Sequence, residues 1–328
     1  MTFSLSDSGL FPLLERVSRS FYLSIRFLPS RIRPAIAIGY LLARASDTIA
    51  DINKFEAKYR LEALAAILAA LQGSTIDLAQ RVPLCVDAQP SGAEKELLKQ
   101  LMSVVACARD LVPSHQALVQ EVLSKILRGQ GLDIERFEMA NSLHALRSAD
   151  ELEEYTYLVA GSVGEFWTRL CALEWSSYSR IAHSELERLS IEFGKSLQLI
   201  NILRDFSVDI AHGRSYLPMV DPLRVKANPE FVRPLFLEWR NRAWHYLRSG
   251  WAYVEAIRPI RVRFACALPA LIGARTLDKL EGPGVISAKI SRREVYSLMI
   301  LSSIVALVPA AAKLIGSKFG LNDEEKSS

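Results

Sequence analysis

The sequence predicts an all-α protein, and three observations carry that prediction. Apolar residues recur at i, i+3, i+4 and i+7 along most of the chain. Alternating runs of the β type are hard to find. Gly and Pro make up only about 9% of the 328 residues, against roughly 12% in average proteins. Half of the residues are hydrophobic, enough to build a large core and too many for a disordered polymer.

Taken in order, Tyr40–Asp51 (YLLARASDTIAD) reads as a mostly apolar helix. Leu61–Leu71 (LEALAAILAAL) is rich in Ala and Leu, the composition that helices prefer. Leu98–Leu111, Ala117–Leu127, Glu151–Leu173 and Ser184–Ile210 carry the helical period. Breaks fall at Gln72–Thr75, Val86–Gly92, Ala211–Asp221 and Glu281–Gly284. None is long enough to separate a pair of domains, and no fixed-period repeat occurs. One large helical domain is therefore expected over residues 1–320, with a polar tail at 321–328. Val295–Ala312 is the one membrane-like stretch. Its 18 residues barely reach spanning length and include three Ser, Tyr296 and Pro309. It is expected to be a last helix of the fold, at most peripheral to a membrane.

Charge and cysteine usage exclude several classes. The net charge of +4 is too weak to indicate a nucleic-acid binder. Cys85, Cys107, Cys171 and Cys266 are far apart in sequence and the histidines are scattered, so no zinc pair is expected. A reduced, cytoplasmic protein is the expectation, and the N-terminus shows no signal-peptide pattern. Two decoys fail. Gly194-Lys195-Ser196 lacks the upstream Gly of a phosphate loop, since position 189 is Leu, and Ile134 stands where a dinucleotide fingerprint beginning at Gly129 needs its third Gly.

The chemistry lies in carboxylate pairs. Asp47 and Asp51 are four residues apart, hence on one helix face, among apolar neighbours. On its own this pair fits a solvated stripe as well as a site. Gln198–Asp209 (QLINILRDFSVD) repeats the spacing, with Asn201, Asp205 and Asp209 in line and Arg204 beside them. Two oxygen-rich stripes on apolar helices suit facing walls of one cavity. Oxygen-only ligands favour Mg²⁺, which keeps water and shares phosphate oxygens with one or two carboxylates. A diphosphate with a hydrocarbon remainder is the expected substrate.

These motifs closely resemble those of the squalene/phytoene synthase family of head-to-head prenyl transferases. Asp47–Asp51 looks like its DxxxD motif, and Asn201–Asp209 looks like its NxxxDxxxD motif, followed by Gly213-Arg214-Ser215-Tyr216-Leu217-Pro218. Ser18-Arg19-Ser20-Phe21 and Tyr155–Gly164 (YTYLVAGSVG) extend the likeness over about residues 15 to 295. Arg44–Asp51 and Cys266–Pro269 favour the squalene synthase branch. One departure is Ala270, where many eukaryotic members carry Gln.

The resemblance implies a single isoprenoid-synthase-type helical domain around a central cavity. It implies condensation of two farnesyl diphosphates through presqualene diphosphate, then reduction by NADPH; a phytoene, dehydrosqualene or presqualene diphosphate synthase without the reductive step is the alternative. Asp47, Asp51, Asn201, Asp205 and Asp209 are then the Mg²⁺ ligands. Ser18, Arg19, Ser20, Arg44, Arg204 and Arg214 are suited to diphosphate oxygens, and Tyr155 to acid–base work. Tyr40, Tyr253 and Gln198 are further contacts. Phe21, Val159, Ala160, Gly161 and Val163 would flank the prenyl chain, although the small residues equally suit close helix packing. Lys289 and Arg292 are the expected NADPH contacts. A monomer without nucleic-acid partners is expected.

Overall fold

The computed structural model describes residues 10–18, 21–137, 143–219, 224–225, 228–281 and 290–322. They are almost entirely helical, and their contacts divide the chain into two compact units. The first holds Met1–Glu138 and Arg169–Glu174, and the second Met139–Thr168 and Trp175–Ser328.

The first unit comprises α1 (Leu10–Ser18), α2 (Phe21–Phe27), α3 (Arg33–Ala50), α4 (Ala57–Leu71), α5 (Ile76–Ala88), α6 (Ala93–Lys99), α7 (Leu101–Arg109) and α8 (Pro113–Phe137). Helix α3 is its axis, packed by α4, α6, α7 and α8. Pro34 in the first turn presets the helical φ at no cost in hydrogen bonds. Ala35, Ile36, Ile38, Leu41, Leu42, Ala45 and Ile49 are buried along it. Gly73, at φ +117°, closes α4 in the left-handed conformation and lets Ser74 donate back to the Ala69 carbonyl at 2.9 Å.

The second unit contains β1 (His144–Ala145), α9 (Ala149–Thr156), a π-helical turn (Tyr157–Gly161), the start of α10 (Ser162–Glu174), α11 (His183–Ala211), β2 (Arg214–Ser215), a 3₁₀ turn (Pro229–Val232), α12 (Arg233–Ala256), α13 (Ile260–Lys279), α14 (Arg292–Leu307) and α15 (Pro309–Lys318). Helix α11 is its spine, packed by α12, α13 and the π turn. Glycines permit the closest approach. A Cβ at Gly194 would overlap the Ala160 carbonyl, and one at Gly164 the Ser190 carbonyl. Close helix packing is thus a demonstrated reason for the small residues of Tyr155–Gly164. The two short strands pair in parallel and pin the Gly213–Ser215 segment.

The sequence reading places most helices but misses some boundaries. The helix expected over Leu98–Leu111 is two, because Gln100 leaves helical geometry (φ −96°, ψ 3°). The break expected from Val86 begins only after Ala88. The stretch Val295–Ala312 is split at Val308, whose ψ of 88° is set ahead of Pro309. No described helix is long and apolar enough to cross a membrane. The break expected over Glu281–Gly284 lies outside the described residues from Gly282 onward, as does the tail from Asp323.

Two expectations follow. Gly194→Ala should cost about 2 kcal/mol of stability in urea unfolding, since a new methyl meets backbone that cannot step aside. Glu294, held by Lys279 and by the Ser291 cap, has its carboxyl lowered to about 2. Its contribution is complete above the ordinary carboxylate range near 4.5 and is lost as the pH falls toward 2. Glu294→Gln should therefore lower the melting temperature at pH 7 and close that gap progressively with acid.

Candidate active site

The first aspartate motif occupies the last turn of α3. The buried stripe of that helix leaves Asp47 half-exposed and Asp51 exposed at its end. A helix C-terminus is already negative, so two carboxylates there call for cations. Arg44, one turn earlier, supplies one: its Nη1 donates to Asp47 Oδ2 at 2.6 Å and its Nη2 to Glu94 Oε1 at 2.9 Å. Its Nε is buried with no hydrogen-bond partner. Arg60, from α4, is 7% exposed and donates to the Ala50 carbonyl at 2.7 Å. Burial pulls the Arg60 guanidinium down in pKa, while the negative charges of Asp51 and Asp133 oppose this. Gln89 bonds the Thr48 carbonyl at 3.3 Å. The carbonyls around the two aspartates are thus held by side chains from outside the helix. Tyr40 stacks on Phe21 at 5.5 Å and donates to the Val17 carbonyl at 3.3 Å.

The second motif occupies the last turns of α11. Leu199, Ile200, Ile202, Leu203 and Phe206 are buried and turn the other side outward. Asn201 is exposed, Gln198 and Asp205 are half-buried, and Asp209 is buried. Arg204 forks onto Asp205 with bonds of 2.9 and 2.6 Å. Asp209 is reached from beyond the helix. Gly213, at φ +81°, reverses the chain so that Arg214 Nε donates to Asp209 Oδ1 at 2.8 Å. Burial pushes the Asp209 carboxyl up, against the pull of Arg214.

Tyr155 belongs to this second group. Its ring is buried and stacked on Tyr216, with centroids 4.9 Å apart. Arg214 lies over the Tyr216 ring at 5.7 Å. Tyrosine, tyrosine, arginine and aspartate therefore form one chain of contacts. The π turn directly after α9 is a distortion often found at functional sites.

Other expected residues are placed differently. Ser18 is buried, and its hydroxyl donates to the Leu14 carbonyl at 2.5 Å rather than to an open face. Tyr253 is 1% exposed, with its hydroxyl 2.6 Å from that of Tyr178 and accepting from Thr168 at 3.0 Å. It is a packed core group in a buried hydroxyl chain. Val159, Ala160 and Val163 are half-buried, Gly161 is buried against α11, and Arg292 is exposed at the start of α14. Arg19, Ser20 and Lys289 lie outside the described residues.

Sequence reasoning missed Glu94, Arg60, Gln89 and Tyr216. Only Tyr216 carried a signal, since it follows Arg214 by two residues; the others come from distant helices. Among the described residues no three His, Cys, Asp or Glu side chains converge on one metal position. Aspartates in pairs suit an ion that keeps its waters and shares a substrate's phosphate oxygens.

A family model described as squalene/phytoene synthase matches residues 14–294. The squalene synthase of Eremothecium gossypii is 25% identical over 285 residues, covering 83% of this chain and 62% of that protein. Squalene synthase 1 of Arabidopsis thaliana is 26% identical over 282 residues, covering 81% and 63%. The chain thus spans less than two thirds of these relatives' length. Among solved structures, a complex of TcSQS with the ligand E5700 superposes with a TM-score of 0.72 at 19% identity, covering 97% of this chain and 92% of that one. A dehydrosqualene synthase does so at 0.58 and 21%, covering 90% and 95%. These likenesses establish the fold.

Arg214→Ala should cost about 2 kcal/mol in urea unfolding, because it strands the buried Asp209 charge. A fully buried pair would lose roughly 3–5 kcal/mol, but Arg214 is partly solvated. Adding Asp209→Asn should restore most of that loss, giving a clear coupling energy in a double-mutant cycle.

Proposed function

The chain belongs to the squalene/phytoene synthase family, and from that premise we propose that it joins two farnesyl diphosphates head to head and reduces the product to squalene. The observation that supports this most is the match of cation to carboxylate at both motifs: Arg44 on Asp47, Arg204 on Asp205 and Arg214 on Asp209. Each arginine is a fork that can exchange a carboxylate for a diphosphate oxygen.

Asp47 and Asp51, and Asn201, Asp205 and Asp209, would hold Mg²⁺ beside the two diphosphates. When bound, the ions neutralise substrate charge and stabilise diphosphate as a leaving group. One farnesyl diphosphate loses its diphosphate to give an allylic cation. The 2,3-double bond of the second attacks that cation, and loss of a proton closes the cyclopropane of presqualene diphosphate. Tyr155 Oη relays that proton to a diphosphate oxygen. Its burial beside Tyr216 keeps the phenol out of bulk water. A second loss of diphosphate and a ring rearrangement follow. NADPH, when bound, supplies the hydride that quenches the final cation; Arg292 is the described residue assigned to it. Peripheral association with a membrane belongs to this reading, and no described helix is long and apolar enough to cross one.

A product without reduction is the second reading, and Ala270 favours it. It is fully buried on α13, where many eukaryotic relatives place a polar Gln.

Asp47→Ala and Asp205→Ala should each lower turnover of farnesyl diphosphate at least about a hundredfold, with an unchanged helical circular dichroism spectrum. Full activity in either variant removes the site assignment. Product mass decides the second step. Squalene should form with NADPH, and presqualene diphosphate or hydroxylated or dehydrogenated C30 products without it. The same products in both conditions assign the non-reducing reading.

A further inference from the structure

A polar cluster in the second unit takes no part in either aspartate stripe. Glu153 of α9, Lys195 of α11, and Arg242 and Tyr246 of α12 meet there. The lysine of Gly194-Lys195-Ser196 thus sits inside a helix, its side chain 15% exposed, and its ammonium is paired with the Glu153 carboxylate. The Tyr246 hydroxyl donates to both Glu153 oxygens, at 2.9 and 3.1 Å. Arg242 Nη1 reaches Oε1 at 3.1 Å. Lys195 Nζ also stands over the Tyr246 ring, 4.8 Å from its centroid. Burial, and then the charge of Glu153, raise the Tyr246 phenol well above its ordinary range, so the hydroxyl stays a donor.

The cluster bears on Tyr155 from both sides of its segment. Glu153 precedes Tyr155 by two residues, so the two side chains leave α9 roughly 200° apart. One is tied to α11 and α12, and the other is stacked on Tyr216 at 4.9 Å. Helix α9 has eight residues, too few to hold itself without tertiary contacts. The stem of Lys195 lies against the π turn that follows: a Cβ on Gly161 would stand 3.1 Å from Lys195 Cγ. One lysine therefore touches the helix that carries the tyrosine and the turn that leaves it. The buried Leu152 holds α9 down, but apolar contact is non-directional and fixes no rotation. A carboxylate gripped by three donors does fix it, because any rotation strands a largely buried charge.

We propose that Glu153 and Lys195 are positioning residues for Tyr155, their ion pair setting the rotation of α9 and hence the seat of the tyrosine ring on Tyr216. The seat of the ring follows from these contacts alone. What the ring does there rests on the prenyl-transfer reading, so the test has two arms. In the first, 3-fluorotyrosine is incorporated into the full chain, and the Tyr155 fluorine resonance is assigned by its loss in Tyr155→Phe. Lys195→Met, which keeps the stem, and Glu153→Gln should each shift or split that resonance. The double variant should do no more than the larger single change. Arg233→Gln, which removes an exposed ion pair elsewhere on α12, should leave the resonance in place. The double variant buries neither charge of the pair, so it carries the test if a single variant loses its helical circular dichroism. In the second arm, presqualene diphosphate formation is measured. Lys195→Met should lower kcat about tenfold while KM for farnesyl diphosphate stays within about twofold, since no diphosphate contact is removed. A Tyr155 resonance unmoved in all three variants overturns the proposal. So does an unchanged kcat in a variant whose resonance has moved, or a fall in kcat matched by an equal rise in KM. A wild-type chain that forms no presqualene diphosphate removes the prenyl-transfer reading instead, and the fluorine signal alone then decides whether the pair seats the ring.

Discussion

Both aspartate motifs end a helix. Asp47 and Asp51 lie in and just after the last turn of α3, and Asp205 and Asp209 in the last turns of α11. The backbone dipole makes those ends negative already, so each added carboxylate raises a charge that something must balance. Arginines do so in the protein as it stands. Arg44, Arg204 and Arg214 pair with the carboxylates, and Arg60 holds the α3 terminus from behind. The balance is partial: Asp47 and Asp205 remain about half-exposed.

Within the second unit, several contacts converge on the end of α11. Gly194 and Gly164 let α11 touch the helix that runs from Tyr155. That contact places the Tyr155 ring on Tyr216, and Tyr216 under Arg214. Gly213 is the hinge of the same device, because only a left-handed residue there returns Arg214 to Asp209. The short β1–β2 pair, with His144 donating to the Gly213 carbonyl at 2.9 Å, locks the turn. Backbone approach, turn geometry and ion pairing act on one another at this point, so the tyrosine is positioned through three contacts rather than one.

The C-terminal helices follow a different economy. Helix α14 packs on α13 through small residues, and the buried Arg263 joins the two by donating to the Ala306 carbonyl. Its larger side chains are left outside. The helix breaks at Pro309 before the apolar run reaches spanning length.

The amino-acid sequence by itself determined the helical class and the two aspartate stripes, each along one face of its own helix, because the 3.6-residue period and the four-residue spacing are local. The family resemblance it carries pointed to Arg44, Arg204, Arg214 and Tyr155 as candidate site residues. Only the tertiary structure decided that Glu94 shares Arg44, that Arg60 and Gln89 cap α3, and that Tyr216 carries Tyr155. It also moved Ser18 and Tyr253 into the core, and split the helix expected over Leu98–Leu111 at Gln100. The reason is separation in sequence. A partner four residues away is fixed by helix geometry, whereas Glu94 lies 50 residues from Arg44 and meets it only when α6 packs on α3. Which way α14 turns its apolar face was likewise undetermined, since a run that is apolar on all sides carries no period to say which side goes inward.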